Sequence, residues 1–497
     1  MKQFTFFTFF LSLLFCSVLR AQPSSVEWDL LSGEEIPANK YRWFKKHHNG
    51  AVYRYKKSKN QVTIKKYSIS PFKKLYELEL ERKEEGDKNY SQFIVMDNAV
   101  HVFYWQFDKK RKVLSRYVRK VNASGSIGPF KLIAEIPSSK SYKAVIGQRF
   151  SRDGKTLMLL KQFEVKKGEN AKYGLEVYDE DYNKMWEDEI TFPYTAKEFT
   201  IKKWSVTNDR AVVALMRSRD DQNKLSVNLV KFMGDSYEKL PVNFEEPVYS
   251  DDVMSVDLIP GKIVLHAWTH PKKSHKLKGL MVYTFDYKTW KETNRDVQKF
   301  SEKMNSRILN HSGHGWADGS LSSMEMRRAI PKKGGGFYIL AEKQMTQKVE
   351  IDEKVTYLYY DIDIFVCSVD GHGNIDFMDV IPKFQEVKSE RHFVNMSSFG
   401  YYADSQDNLH IFYTDHVENK NNMAGSGVEL KAMKNPVKGA IMHVEVNENG
   451  IGKKNQVKLN SKVFTPKFRS GFPTEFGICL PVKVSNKVIK LGTLSVP

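Results

Sequence analysis

The chain contains little cysteine. Its 497 residues include three, Cys16, Cys367 and Cys479, and none forms a C-x-x-C pair. A structural zinc site built from cysteines is therefore excluded, and we expect neither a resident metal nor a cofactor. Cys367 and Cys479 lie in apolar segments, FVCSV and GICLP. In an exported protein they could form one disulfide, whereas the apolar surroundings favour two buried free thiols.

Long apolar runs are missing beyond residue 21. The single long run, Phe4 to Val18, follows Lys2 and precedes the small residue Ala21. This pattern is typical of a secretory signal peptide at residues 1–21. The run of about fifteen residues is shorter than the ~20 that a membrane-spanning helix needs. We therefore expect an exported protein without a transmembrane helix in its mature chain, located in the periplasm, at the outer membrane or outside the cell. An uncleaved anchor is the alternative.

Signatures of common catalytic sites are also missing. The sequence has no G-x-S-x-G, Walker loop, H-E-x-x-H or kinase motif. The motifs therefore identify no catalytic residue, and a site assembled from separate loops would leave no such motif.

A unit of about fifty residues, which recurs from Lys40 to the C-terminus, is the strongest positive signal. Residues 142–192 show it clearly, as four short strands with a turn at SRDGK. Such a period predicts an all-β chain that forms one β-propeller over residues 40–497, with about eight four-stranded blades, or seven as the alternative. Insertions are expected near residues 297–322 and 416–436.

The ends of the chain are expected to close the ring. Residues 464–497 offer two or three strands, fewer than a blade requires. The leader, residues 22–39, contains one strand-like piece, Val26 to Leu30. Pairing this piece with the C-terminal strands would complete the last blade and remove an exposed edge.

Positive charge is concentrated in the first two modules. The net charge is +19, and residues 40–80 hold twelve Lys or Arg against two Glu. These clusters predict a basic surface that attracts anionic membranes or polysaccharides, although a solvated surface without a dedicated partner is an equal alternative. Its members are Arg54, Lys56, Lys57, Lys65, Lys66, Lys109, Lys110, Arg111 and Lys112.

Two residue clusters resemble metal sites. His311 and His314 lie three apart near Asp318, so a suitable turn would let them share an ion. A chance arrangement in a Gly/Ser-rich loop explains them more simply, and a partner contact is the other role considered. The segment Asp370 to Asp376 places oxygen atoms around a glycine turn, but it lacks the EF-hand spacing, which favours a simple hairpin turn.

Carboxylates at strand ends give the remaining candidates. Asp361 and Asp363 alternate in one strand and are expected to face the same side, where paired acids could exchange protons. Asp415, Glu418 and Asn419 follow an apolar strand, where they could contact a ligand in a central pocket or satisfy the loop backbone.

The segment from Gly334 to Asn421 resembles a known family. It contains GGGFYILAEKQ, then YYDIDIFVCSVDGHGNIDF, VIPKFQ and IFYTDHVEN. This order is similar to that of exported, propeller-like proteins of unknown function from Bacteroidota. The resemblance implies export and a propeller fold, and it carries over no catalytic residue.

Together these patterns favour a non-catalytic binding or assembly propeller of the bacterial cell envelope. Its partner would be an envelope protein or an anionic glycan or lipid surface, without specific nucleic-acid binding. The alternative is a carbohydrate-active hydrolase or lyase whose acidic groups converge in the central funnel.

Overall fold

The structure is a computed structural model that describes most of residues 27–496. The segments outside the description are 1–26, 31–35, 38–43, 49–50, 58–60, 70–72, 82, 85–87, 97–98, 142, 196–197, 220–224, 234–235, 245–252, 271–276, 303, 305–323, 352–353, 390–397, 422–429, 435–438, 458–464, 467, 469–470, 475–476, 484–487 and 497.

The described strands form eight antiparallel sheets, named here in chain order after the two leader strands, β1 (Glu27–Leu30) and β2 (Ile36–Pro37). Sheet 1 contains β3 (Phe44–His48), β4 (Ala51–Lys57), β5 (Gln61–Ser68) and β6 (Lys73–Glu81). Sheet 2 contains β7 (Lys83–Glu84), β8 (Lys88–Met96), β9 (Ala99–Asp108), β10 (Val113–Val121) and β11 (Lys131–Pro137). Sheet 3 contains β12 (Val145–Phe150), β13 (Leu157–Gln162), β14 (Asn170–Tyr178) and β15 (Lys184–Thr195). Sheet 4 contains β16 (Phe199–Val206), β17 (Val212–Arg219), β18 (Leu225–Met233) and β19 (Ser236–Pro241).

The second half of the chain continues the pattern. Sheet 5 contains β20 (Val253–Val256), β21 (Lys262–Thr269), β22 (Gly279–Asp286) and β23 (Lys291–Lys299). Sheet 6 contains the longer strands β24 (Met324–Pro331), β25 (Phe337–Ile351), β26 (Lys354–Val369) and β27 (Ile375–Ser389). Sheet 7 contains β28 (Phe399–Ala403), β29 (Leu409–Asp415), β30 (Ala440–Asn447) and β31 (Gly450–Val457). Sheet 8 contains β32 (Thr465–Pro466), β33 (Phe472–Thr474), β34 (Gly477–Lys483) and β35 (Val488–Ser495), together with β1 and β2.

Alternating side chains explain why these segments form strands. In β6, Leu80 is buried while Glu79 and Glu81 on either side of it are exposed. Successive side chains of a strand point to opposite faces of the sheet, so one face can be apolar while the other is exposed to solvent. The central strands are apolar on both faces; β29 is buried along its whole length, from Leu409 to Asp415. Such strands need another sheet packed against each of their two faces.

Successive sheets cover these apolar faces by packing against one another. Buried apolar clusters join sheets 1 and 2, 2 and 3, 3 and 4, and so on to sheets 7 and 8. First strands of successive sheets meet, as β12 meets β16 and β16 meets β20, which places them near a common axis. The fold is thus the predicted β-propeller.

The two ends of the chain close the ring. β1 pairs with β35 from Glu27↔Ser495 to Leu30↔Gly492. In the same sheet, β33 contacts both β28 of sheet 7 and β3 of sheet 1. The predicted closure by N- and C-terminal strands is therefore confirmed. No described helix is long and apolar enough to cross a membrane.

Removing β1 should weaken the ring. A chain that begins at residue 32 loses the four-residue pairing with β35 and exposes that strand as an edge. At roughly 1 kcal/mol per net hydrogen bond, we expect the free energy of unfolding to fall by about 3 kcal/mol. Urea unfolding measures this loss. A chain that begins at residue 25 keeps β1 and serves as the control; equal stability of the two chains would contradict the closure.

Candidate functional site

A buried ion pair lies at the end of β29. The Asp415 carboxylate is 2.8 Å from Lys454 Nζ, and both side chains are 0% exposed. Lys454 Nζ also donates to the carbonyl of Pro382 at 3.2 Å. The second Asp415 oxygen accepts the His416 N–H at 2.8 Å and Asn419 Nδ2 at 2.9 Å. Every polar atom of this pair thus has a partner within the protein.

The neighbouring candidate residues, Glu418 and Asn419, lie in the insertion that follows β29. The buried Asn419 side chain accepts the Lys431 N–H at 2.9 Å and donates to the Lys431 carbonyl at 2.8 Å. Glu418 is exposed and pairs with the Lys431 side chain, which lowers the pKa of Glu418. The structure therefore brings Asp415 and Asn419 together and leaves Glu418 apart.

The expected ligand contact at Asp415 and Asn419 does not fit this geometry. Both residues are 0% exposed, and their polar atoms already bind Lys454 and the loop backbone. The insertion is further fixed by Met433, whose backbone bonds to Phe384 and Glu386 of β27. The other reading of these residues, which has them support the loop, describes the structure.

A second buried charge cluster lies close by. Glu342 and Lys383 are both 0% exposed and form an ion pair. Glu342 also accepts from Ser398 Oγ at 2.6 Å and from Arg327 Nη2 at 3.4 Å. Sequence patterns gave no sign of this pair, because a single Glu or Lys within a strand does not show that neighbouring strands will bury it.

The two aspartates of β26 differ in their surroundings. A β-bulge at Asp363 interrupts the alternation on which the same-side expectation rested. Asp363 is buried and accepts the Lys383 N–H at 3.3 Å, whereas Asp361 accepts from Gln344. Their carboxylates therefore serve separate partners.

The Asp370 segment forms the predicted hairpin turn between β26 and β27. Asp370 Oδ1 accepts backbone N–H groups of His372, Gly373 and Asn374 at 2.7–2.8 Å. Burial alone would raise the pKa of Asp370, but the Asn374 Nδ2 bond at 2.8 Å and these backbone bonds outweigh it and lower that pKa. The same arrangement recurs at Asp179 and Asp404. N–H donors thus occupy the carboxylate oxygen, as a turn requires.

Other candidates lie outside the described residues or away from one another. His311, His314 and Asp318 belong to the segment 305–323, outside the description. Elsewhere in the described chain no three His, Cys, Asp or Glu side chains converge as metal ligands. Cys367 and Cys479 are both free and buried, in sheets 6 and 8, and burial raises the pKa of both thiols.

The predicted basic surface is only partly correct. Arg54 and Lys66 are 5% and 7% exposed, so they do not belong to a surface. Arg54 lies on β4 and Lys66 on β5, and both strands have a neighbouring strand on each side. Lys66 Nζ donates a hydrogen bond to the Ala123 carbonyl at 3.1 Å, and burial lowers the pKa of Lys66. Lys65 is half-buried and pairs with Glu77 at 2.6 Å. The side chains of Lys56 and Lys57 are outside the description.

The turn between β9 and β10 is exposed, as expected, and it has basic neighbours. Chain segments that join β11 to β12 and β13 to β14 end on the same side of sheets 2 and 3, because strands alternate in direction. We call the exposed cations of these three segments the lysine patch: Lys109, Lys110, Arg111, Lys112, Lys140, Lys143, Lys166 and Lys167. Sequence reasoning missed the last four, which the fold brings near the first four.

The lysine patch contains fewer acids than bases. Glu135 is 3.6 Å from Arg111. Glu164 accepts from Ser139, and these bonds together with the charges of Lys140 and Lys143 lower its pKa. Asp108, in the same turn, accepts the Lys110 and Arg111 N–H groups, and Glu169 accepts the Lys166 N–H. Eight cations against these four carboxylates leave the patch with a positive potential.

No family model matches the chain, and no curated protein matches it. Solved structures do resemble it. The β-propeller domain of the Trilobed protease from Pyrococcus furiosus is 12% identical, with a TM-score of 0.37 over 85% of this chain and 97% of that one. The WD40 domain of SCAP from fission yeast is 9% identical, with a TM-score of 0.34 over 94% of each chain.

A third similar structure is larger than this chain. The acylaminoacyl peptidase of Pyrococcus horikoshii is 11% identical, with a TM-score of 0.37 over 92% of this chain. The chain spans 59% of that peptidase. Likeness at this level carries no inference about activity.

The buried Asp415–Lys454 pair should be costly to break and cheaper to remove. Lys454→Met leaves a buried carboxylate without its cation, and Asp415→Asn leaves a buried cation without its anion. Each is expected to cost about 3–5 kcal/mol of unfolding free energy. The double variant should lose clearly less than the two single losses added together, because neither charge remains. Urea unfolding of the four proteins measures this coupling, and additive losses would contradict it.

Proposed function

We propose that this protein is a non-catalytic binding propeller of the bacterial envelope, which uses the lysine patch to hold an anionic surface. The observation that carries this proposal is the set of eight exposed cations at one end of sheets 2 and 3. Such a concentration of one sign of charge attracts anionic lipid or polysaccharide and accelerates encounter.

The opposite end of the sheets supports an oriented interaction. Turns that join first to second and third to fourth strands lie at that end, because antiparallel strands alternate in direction. The Asp-centred turns at Asp179, Asp370 and Asp404 are of these kinds, whereas the one at Asp108 lies in the lysine patch. An anionic surface would therefore be attracted by the lysine patch and repelled by the carboxylates of the other face.

Export is part of the proposal. The apolar run at residues 4–18, after Lys2, supports a cleaved signal peptide. Expression with and without residues 1–21, followed by fractionation of the cells, tests it. We expect the full chain in the envelope fraction and shortened by its leader, and the truncated chain in the cytoplasm.

The lysine patch should make membrane association dependent on salt. We expect the protein to sediment with vesicles that contain phosphatidylglycerol and to stay in solution with pure phosphatidylcholine. The variant Lys109→Gln/Lys110→Gln/Arg111→Gln/Lys112→Gln should bind at least roughly 100-fold more weakly, at about 1 kcal/mol per charge. Raising the salt concentration should release the wild type, because the screening length shrinks to ~8 Å near 0.15 M.

A control variant removes the same charge elsewhere. Lys239, Lys291, Lys388 and Lys453 are exposed on the fourth strands of sheets 4 to 7. Replacing all four by Gln should leave vesicle binding close to that of the wild type. Equal losses in the two variants, or binding that salt does not change, would refute the role of the lysine patch.

A further inference from the structure

A cavity of about 400 Å³ lies between sheets 2 and 3. Its walls come from β8 of sheet 2, from β12 of sheet 3 and from the turn that joins β12 to β13. The volume falls within the ~300–1,000 Å³ that is usual for small-molecule sites. That turn lies at the end of the sheets opposite the lysine patch, because antiparallel strands alternate in direction. The cavity and the lysine patch are therefore separate sites.

Two guanidinium groups line this cavity, those of Arg149 and Arg152. Arg149 is exposed, yet it is held in place on two sides. Its Nη1 donates to the Gln148 carbonyl at 2.9 Å, and its Cζ lies 5.3 Å from the centre of the Trp204 ring. A guanidinium has five N–H donors, and this hydrogen bond uses one of them. Arg149 is thus oriented in advance and keeps donors for an anion.

Arg152 is the second cation of the cavity. It keeps access to solvent, but its surroundings remove enough water to lower its pKa, an effect that the charge of Asp257 opposes. The Asp257 carboxylate already accepts the Asn208 N–H at 2.7 Å and the Tyr287 hydroxyl at 2.9 Å. Arg152 makes no hydrogen bond to another described residue. A guanidinium that has lost part of its water binds an anion more strongly than one in bulk solvent.

The balance of charge favours a ligand with one negative charge. Asp153 is the carboxylate among the residues that line the cavity. Its Oδ1 accepts the Ser151 hydroxyl at 2.5 Å and the Lys155 N–H at 3.1 Å, so it serves the turn. Two guanidinium groups and one carboxylate leave one unit of positive charge. The exposed Gln92 side chain adds a neutral amide to the same wall.

The remaining wall is apolar. Ile94, Met96 and Phe150 are half-buried there, and an apolar group that covers them gains roughly 25 cal/mol per Å². A narrower cavity of about 140 Å³ shares Met96 and Phe150 with this one, and its other walls include Asp179 and Asp181. Carboxylates on that side repel an anion. A bound acid would therefore place its charge at the arginines and its apolar group toward Met96 and Phe150.

We propose that this cavity binds a small apolar carboxylate, with Arg149 and Arg152 on the carboxylate and Ile94, Met96 and Phe150 around the apolar group. A free organic acid and the C-terminus of a peptide share this chemistry. Inorganic phosphate would satisfy the arginines and leave the apolar wall in water. The inference goes beyond the proposed function and does not depend on it, because it uses other residues at the other end of the sheets.

The test uses residues 22–497 in isothermal titration calorimetry at physiological salt. The two probes are 4-phenylbutyrate, a free acid, and acetyl-Ala-Ala-Phe, a peptide with a free C-terminus. We expect at least one to bind with a dissociation constant below about 1 mM, and the tighter of the two identifies the source of the carboxylate. Acetate, inorganic phosphate and the amide of the tighter probe should each bind at least roughly tenfold more weakly.

Arg149→Gln/Arg152→Gln should weaken binding of the tighter probe by about 100-fold, about tenfold for each charged hydrogen bond. Lys333→Gln/Lys453→Gln removes the same charge from exposed positions outside the cavity and should bind as the wild type does. Thermal melting checks each fold, and the single variants replace the arginine double variant if it does not fold.

The inference is overturned if neither probe binds, if the amide binds as tightly as the acid, or if the arginine and control variants lose equal affinity. The variant with four substitutions at residues 109–112 should bind the acid as the wild type does, and Arg149→Gln/Arg152→Gln should still sediment with anionic vesicles. Failure of the cavity thus leaves the proposed function standing, and the reverse holds as well.

Discussion

The packing of sheet against sheet is the interaction on which the whole structure depends. Central strands such as β13, β21 and β29 are apolar on both faces, so an isolated sheet would expose both apolar faces to water. Each of the seven apolar clusters between successive sheets covers two such faces at once. At roughly 25 cal/mol per Å² of buried apolar surface, this term dominates folding. The sequences of the loops can therefore change without loss of the fold, as long as the sheets still pack against one another.

That scaffold determines which side chains can meet a partner. Side chains at strand ends and in turns face solvent, and exposed side chains on first strands face the channel. The lysine patch uses the first of these positions. Charges at other places, such as Lys383 and Lys454, must find internal partners because burying an unpaired charge is costly. The described parts of the insertion, residues 416–421 and 430–434, are held by this requirement through Asp415 and Asn419.

Sequence reasoning recovered the repeat and the closing strand because those features follow from periodicity and turn residues. It failed where the result depended on how separate strands meet. Arg54 and Lys66 alternate like solvent-facing residues, yet adjoining strands cover them. The bulge at Asp363 cannot be read from the alternation of DIDIF, since it depends on the register with β27. The last four members of the lysine patch are distant in sequence, and only the order of the strands brings them near the turn at Lys109.

The pairing of β1 with β35 has a consequence for how the molecule is made. The first strand of the chain can find its partner only after almost every residue has left the ribosome, since that partner ends at Ser495. Sheets 1 to 7 can form from local hairpins as they emerge, while completion waits for one contact of maximal sequence separation, the kind that slows folding. The ring therefore stays open until both ends of the chain are available to pair.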